Sequence, residues 1–144
     1  MSAEQLPKEL LELLRESTDR LEELCAVLDR EYSALRDQDL DSLRETIARK
    51  QILAAELEDY ERRRLAALDV HDLSVDELGA HRQHLEQLAL RCDKQNRVNG
   101  VLLEKNRRRV QTVLAILQGT AAAELYNPTG TTVSTRCSQS LAQA

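Results

Sequence analysis

The chain of 144 residues is one domain's worth of protein, and its 42% apolar residues include 26 leucines but neither Phe nor Trp, so its core must be aliphatic. With 31% charged residues, four glycines and two prolines, the composition is typical of long helices and argues against a sheet protein, which needs more turn residues. The net charge of -5 argues against general affinity for nucleic acid.

The first predicted helix runs from about Pro7 to Arg36. Pro7 suits the first turn of a helix, where its missing N–H costs no hydrogen bond. Apolar residues follow one another at alternating spacings of four and three, which indicates a single buried seam. Two slots of this seam are polar, Ser17 and Glu31. The leucines of the seam are Leu10, Leu14, Leu21, Leu24, Leu28 and Leu35.

The second helix is predicted from about Asp41 to Leu68. It follows the polar stretch "RDQDLD", whose side chains compete for backbone hydrogen bonds and favour helix caps, so this stretch is interpreted as a turn. The seam of the second helix is less regular than that of the first. Its predicted buried residues are Leu43, Ile47, Leu53 or Ala54, Leu57, Tyr60 or Glu61, and Leu68.

The third helix is predicted to be long. "DVHDLSVDEL" breaks the periodic pattern, and Ser74 followed by Glu77 predicts a capping box that opens the helix. The pattern then continues to Leu117, giving a helix of roughly 40 residues and about 60 Å. A helix of this length needs partners along its length. The seam consists of Leu85, Ala89, Cys92, Asn96, Asn99, Leu103, Asn106, Val110, Val113 and Leu117.

These elements predict an all-α fold, an antiparallel three-helix bundle or coiled coil with a long third helix. We expect a helical domain over residues 1–119 and a flexible tail over residues 120–144, which is poor in charge and in apolar area. The segment 4–37 has ten acids and five bases, whereas 91–110 has seven bases and two acids. Such segments attract each other if the helices lie side by side.

The amino-terminal stretch "MSAEQLPKEL" has neither a basic region nor an apolar core of a signal peptide. No apolar run approaches the roughly 18 residues that a membrane span needs. We therefore expect a cytoplasmic protein that is not embedded in a membrane. The cysteines Cys25, Cys92 and Cys137 are far apart in sequence, which favours reduced thiols over a disulfide framework.

Histidines at the start of the third helix suggest either a metal site or a phosphotransfer site. The residues that each of these sites requires are missing from the sequence around them. His81 and His84 are three residues apart with His71 nearby, but no further Cys pair or His pair completes a metal ligand set. A phosphotransfer histidine is followed by Lys-Gly, which "AHRQHLEQ" does not contain. We expect solvated histidines, with no metal and no cofactor.

Two other motifs are explained without a ligand. The arginines of "EKNRRRV", residues 104–110, have no interleaved aromatic residues, and the acidic first helix is an obvious neighbour for them. "NPTGTT" lacks the lysine and the flanking strand of a phosphate-binding loop, while Asn127, Pro128 and Gly130 satisfy a type I turn. No Ser/His/Asp grouping or paired acidic motif stands out, so we predict no enzymatic activity and no nucleic-acid partner.

The asparagines of the third helix have two interpretations. Asn96, Asn99 and Asn106 lie on an otherwise apolar seam, and Gly100 is unfavourable inside a helix by about 1 kcal/mol relative to Ala. One interpretation is that these asparagines fix the register of the helices, as a buried Asn does in coiled coils. The other is a polar notch in a groove that receives another chain. Periodicity alone does not separate the two.

Three stretches together resemble the FlgN family. The first is "DLDSLRETIARKQ", residues 39–51, with Leu43 and Lys50. The second is "CDKQNRVNGVLL", residues 92–103, which is similar to the family pattern Q-N-x-x-N-G-x-L-L. The third is "LYNPTG", residues 125–130, which is similar to the L-Y-x-x-x-G tail of the family. The resemblance spans nearly the whole chain.

The resemblance implies a cytosolic export chaperone of the bacterial flagellum. Such a protein holds the C-terminal segments of hook-associated proteins 1 and 3, prevents their early assembly and delivers them to the type III export gate. It implies that Tyr126 docks on the transmembrane component of the gate. The client-binding residues that it implies are Asn96, Asn99, Leu103, Val110, Val113, Leu114 and Leu117.

An alternative to the chaperone is a structural coiled-coil adaptor. In that case the long third helix pairs with the third helix of a second copy through Leu103 and Val110, and Tyr126 has no essential contact. The chaperone predicts a complex with the client segments, whereas the adaptor predicts a stable homodimer.

Overall fold

The computed structural model describes residues 6–119 of the chain. Over this range the chain forms three long α helices and a short 3₁₀ helix, and no strand. Helix α1 spans Lys8–Asp37, α2 spans Leu40–Val70 and α3 spans Ala80–Leu117, with the 3₁₀ helix Val75–Leu78 before α3. The predicted all-α fold with a long third helix is confirmed. The predicted tail, residues 120–144, lies outside the described residues.

The chain divides into two units, Met1–Leu102 and Leu103–Ala144. The first unit contains α1, α2, the 3₁₀ helix and α3 as far as Leu102. The described part of the second unit is the remainder of α3 with Gln118 and Gly119.

A tight turn places α2 antiparallel to α1. Gln38 has a left-handed backbone with φ 58°, and the N–H of Asp39 donates to the carbonyl of Ala34 at 3.0 Å, which closes the end of α1. The carboxylate of Asp39 then caps α2 by accepting from the N–H of Ser42 at 3.1 Å. The polar stretch identified as a turn therefore ends one helix and begins the next.

The predicted seam of α1 is confirmed at every slot. Its six leucines are buried or half-buried, and both polar slots, Ser17 and Glu31, are buried as well. The helix begins one residue after Pro7, whose carbonyl accepts the first helical hydrogen bond from Leu11 at 3.0 Å. Buried polar residues need hydrogen-bond partners. The partners of Glu31 are described with the candidate functional site below.

The buried face of α2 differs from the predicted one. Leu53 and Leu68 are buried as expected, but Ile47 is 37% exposed and its neighbour Thr46 is buried instead. The hydroxyl of Thr46 donates to the carbonyl of Leu43 at 2.9 Å, so burying it leaves no polar group unsatisfied. A threonine whose hydroxyl bonds within its own helix can be buried, but it gives no apolar signal, so the apolar pattern does not identify it.

The turn between α2 and α3 also corrects the prediction. The capping box of Ser74 and Glu77 is present, but it opens the 3₁₀ helix rather than α3. Gly79 has φ 52°, in the region that side chains other than glycine rarely adopt, and this residue separates the two helices. Helix α3 therefore starts at Ala80.

Two clusters of aliphatic side chains form the core of the first unit. In the second cluster Cys92 of α3 packs beside Cys25 and Leu28 of α1, so the part of α3 within the first unit runs parallel to α1 and antiparallel to α2. The first cluster brings together the beginning of α1, the end of α2, the 3₁₀ helix and the beginning of α3. Its buried members are Leu6, Leu10, Leu13, Leu14, Ala67, Leu68, Leu78 and Leu85.

Candidate functional site

The second unit presents a row of exposed apolar side chains on α3, which we call the α3 stripe. None of residues 103–119 is buried, and the exposed fraction reaches 77% at Leu117. Each member of the row has another member three, four or seven residues away, which keeps the row on one side of the helix. The stripe consists of Leu103, Val110, Val113, Leu114 and Leu117, five of the seven residues predicted to bind a client.

Basic side chains border the α3 stripe. Arg107 lies three residues before Val110 and Arg109 four residues before Val113, so each is next to the stripe on the helix surface. Glu104 accepts hydrogen bonds from Arg107 at 2.8 Å and from Arg108 at 3.1 Å. These bonds, with that of Arg107 the stronger cause, lower the pKa of Glu104 to about 2, so it is ionised at neutral pH.

The charge that this segment offers to a partner is therefore positive. Between residues 103 and 119 there are four basic side chains and one acidic side chain. Arg109 and Lys105 form no ion pair with any described residue, so their charges are not neutralised in the way that Glu104 neutralises its neighbours. An apolar row with cationic borders fits an amphipathic partner that has anionic borders.

The other two predicted client-binding residues, Asn96 and Asn99, belong to a polar cluster in the first unit, which we call the Glu31 cluster. Asn99 is only 1% exposed, and its amide nitrogen donates to the carboxylate of Glu31 and to the carbonyl of Leu28, both at 2.9 Å. Lys50 donates to the same carboxylate at 2.9 Å. One buried carboxylate thus joins α1, α2 and α3.

Asn96 lies at the exposed edge of the Glu31 cluster. Its side-chain oxygen accepts from Lys50 at 3.3 Å, and Gln95 donates to the oxygen of Asn99 at 2.9 Å. The cluster borders an open groove with a volume of about 360 Å³. The residues that line the groove are Leu24, Leu28, Lys50, Ala54, Cys92, Asp93 and Asn96.

The Glu31 cluster explains why a polar residue lies on the buried side of α1, at Glu31, and on the buried side of α3, at Asn99. The side-chain nitrogen and oxygen of Asn99 are both engaged within the first unit, which is the arrangement expected of a residue that fixes helix register. Asn96 is exposed and could contact another chain directly. Lys50 and Asn99, from two of the three stretches that carried the family resemblance, meet at Glu31.

Sequence reasoning did not identify Glu31 or Lys50 as partners of Asn99. A signal was present, because Glu31 occupies a seam slot that should be apolar, and a buried carboxylate requires a cation. The sequence offers no means to choose the cation, since Lys50 is one of 20 basic residues. Sequence reasoning also did not bring together Cys25 and Cys92, whose sulfur atoms are 2.8 Å apart.

The remaining predicted features are located as follows. Tyr126 lies outside the described residues. His84 is exposed and His81 half-buried, and no group of three or more His, Cys, Asp or Glu side chains within residues 6–119 could hold a metal ion. Over the same residues none of the helices combines the length and the apolar character that a membrane crossing demands.

Comparison with known proteins gave one match. A family model described as FlgN protein matches residues 1–134 of the chain. The comparisons with curated proteins and with solved structures found no match. The matched range contains all the helices described above and the three stretches, residues 39–51, 92–103 and 125–130, on which the resemblance was based.

Proposed function

The chain belongs to the FlgN family of flagellar export chaperones, and we propose that it binds the C-terminal segments of hook-associated proteins 1 and 3. In this proposal it acts in the cytoplasm, keeps these segments from assembling early and delivers them to the flagellar type III export gate. Its work is binding and release, with no chemical reaction of its own.

The α3 stripe is the observation that carries the proposal. Each of its five side chains is about half exposed or more, and covering the exposed part of one Val or Leu contributes roughly 1 kcal/mol. A client segment that folds into an amphipathic helix would cover the whole row through anchors at the same helical spacing. Ordering the client segment on binding costs conformational entropy, which lowers the affinity and allows the complex to dissociate.

Charge favours an acidic client over a second copy of this chain. Arg107 and Arg109 border the stripe, so a client helix with Asp or Glu beside its apolar row would gain favourable pairs. Two copies joined through the same stripe would instead bring their arginines together. We therefore propose a client whose apolar anchors are flanked by acidic residues.

The two asparagines take different parts in the proposal. Exposed Asn96 is a contact residue at the edge of the groove, whereas buried Asn99 positions α3 by its bonds to α1. Tyr126 is the proposed docking residue for the transmembrane component of the gate, as in the family pattern.

Charged substitutions on opposite sides of α3 test the proposed client site. Val110→Asp with Leu114→Asp puts two carboxylates in the stripe, where a client would desolvate them, so we expect affinity for the client fragments to fall at least about thirtyfold. Thr112→Asp adds the same type of charge on the opposite side of the same helix and should leave affinity within about threefold. Isothermal titration and size exclusion with each C-terminal fragment measure the difference.

Three outcomes separate the alternatives. Loss of binding in the stripe variant alone supports the proposal, provided that its thermal unfolding matches that of the Thr112→Asp variant. If neither client fragment binds the unmodified chain, the chaperone assignment is wrong. If light scattering shows a stable dimer that the stripe variant abolishes, the coiled-coil adaptor explains the stripe better.

A further inference from the structure

Cys25 of α1 and Cys92 of α3 lie face to face in the core of the first unit. They are 67 residues apart in sequence, their Sγ atoms are 2.8 Å apart, and both are free thiols. Cys25 is 5% exposed and Cys92 6% exposed, so both are buried, and Cys92 also lines the open groove beside the Glu31 cluster. The prediction of reduced thiols is confirmed for this pair, but the structure also brings the two thiols into contact, which their separation in the sequence does not indicate.

Each sulfur atom also lies within hydrogen-bonding distance of a backbone carbonyl of the opposite helix. The Sγ of Cys92 is 3.6 Å from the carbonyl oxygen of Leu21, and the Sγ of Cys25 is 3.9 Å from that of Leu88. Each thiol has one proton, which it can donate either to its carbonyl or to the other sulfur. Each acceptor lies four residues, about one helical turn, before the opposite cysteine. This reciprocal arrangement places both sulfur atoms in the same gap between α1 and α3, 2.8 Å apart, so the two reacting atoms are already in contact.

We propose that Cys25 and Cys92 form a redox-responsive pair, which a small-molecule disulfide such as glutathione disulfide oxidises to a covalent link between α1 and α3. The proposal does not depend on the client-binding role of the chain.

The oxidation proceeds by two exchanges. One cysteine loses its proton and attacks a sulfur of glutathione disulfide, which forms a mixed disulfide and releases one glutathione. The second cysteine loses its proton, attacks the protein sulfur of the mixed disulfide and releases the other glutathione. The pair loses two electrons and two protons, and glutathione disulfide gains both to become two molecules of glutathione.

The buried position makes this exchange slow in the native state. Burial, and next the hydrogen bond with Cys25, raises the pKa of Cys92 to about 12, so little of its thiolate exists at neutral pH. Reaction therefore occurs in states in which α3 has partly opened from α1. Conditions that promote opening should promote oxidation.

The link would act where α3 has few other attachments. Within the described residues α3 buries only three side chains, Leu85, Cys92 and Asn99, and Cys92 is the middle one. A disulfide there would close a long loop and reduce the freedom of the opened states. Oxidation would thus fix α3 against α1, and reduction would restore its ability to open.

The test uses the full chain with Cys137→Ser, so that only the pair can react. After incubation with glutathione disulfide in mildly destabilising urea and return to buffer, intact mass should fall by the mass of two hydrogens, and peptide mapping should show Cys25 joined to Cys92. The melting temperature should rise by about 10 °C. Dithiothreitol should reverse both changes.

Single variants Cys25→Ala and Cys92→Ala in the same background provide the control. Each should retain one thiol, lose no hydrogens as a monomer and show no rise in melting temperature on oxidation. The proposal is overturned if the parent keeps two alkylatable thiols, or if it stops at a glutathione adduct or a disulfide between two chains. Because the parent has both native cysteines, these outcomes decide the matter even if a variant folds poorly.

Discussion

Asn99 is a residue whose whole side chain is engaged in holding three helices together. It donates to Glu31 and Leu28 of α1 and accepts from Gln95, and Lys50 of α2 completes the neutralisation of Glu31. A buried carboxylate that loses a donor is left with an unsatisfied hydrogen bond, which is unfavourable. The cost of altering Asn99 should therefore appear in the stability of the first unit.

Asn99→Ala should lower the free energy of unfolding by about 1 to 3 kcal/mol, because a buried charged acceptor loses one of its donors. Asn96→Ala is the matched control, since it is the same change in an exposed residue three positions earlier, and it should cost no more than about 0.5 kcal/mol. Urea unfolding followed by circular dichroism measures both. Equal, small costs with client binding lost only in Asn99→Ala would instead make Asn99 a contact residue.

For single residues, the sequence shows which positions are unusual but not which residues they contact. The alternating spacing of α1 identifies Ser17 and Glu31 as seam slots, and the structure buries both. The partners of Glu31 lie 19 and 68 residues away, and no local pattern encodes that pairing. The same limit applies to Cys25 and Cys92, which come together only through the packing of α3 beside α1.

Among the elements, α1 is the best predicted because its seam is regular, whereas α2 buries Thr46, which carries no apolar signal. The expected attraction between the acidic first helix and the basic third helix is represented by Arg91 and Asp29, 3.8 Å apart. Other bases of α3 pair within their own helix, as Arg97 does with Asp93 at 3.0 Å. Neighbours one turn away are available before any distant helix packs, so net charge is a poor guide to pairing.

Helix α3 continues through Gly100, and nothing in the structure requires a glycine there. A Cβ added to Gly100 would meet no atom within 4 Å, and the backbone is not left-handed. Gly100→Ala should therefore raise the free energy of unfolding by about 1 kcal/mol by removing freedom from the unfolded chain. Thermal and urea unfolding check this sign.

Gly79→Ala is a control with the opposite expected sign. It also adds a methyl group where no atom lies within 4 Å, but φ is +52°, so we expect a loss of about 1 kcal/mol. A destabilising Gly100→Ala would show that α3 is not a regular helix at that point. A stabilising change that also weakens client binding would show that a client backbone approaches Gly100 closely.

On the scale of the whole molecule, the number and order of the helices within residues 6–119 follow from the sequence because the two breaks between them contain strong turn signals. Asp39 caps α2, and the capping box with Gly79 separates α2 from α3, so this part of the chain reverses direction at two places. The antiparallel pairing of α1 with α2 is then reinforced by Arg49 with Glu23 at 2.6 Å and Arg20 with Glu56 at 2.7 Å. These pairs are partly exposed and add little energy individually, so the aliphatic clusters fix the arrangement.

Client binding and gate docking should be separable within the chain. Among the described residues, the buried clusters of the first unit are built from residues 6–92 and the α3 stripe lies within residues 103–117. Tyr126 lies outside the described residues, and in our proposal it serves gate docking alone. Tyr126→Ala should then leave thermal unfolding and client affinity unchanged and lower affinity for the soluble part of the export-gate component at least about tenfold. Tyr126→Phe, which keeps the ring, is the matched control and should retain most of that affinity. Titration of each variant against a client fragment and against the gate component measures the separation. A lower melting temperature for Tyr126→Ala would show that the ring packs on the helices, and the docking role would then lose its basis.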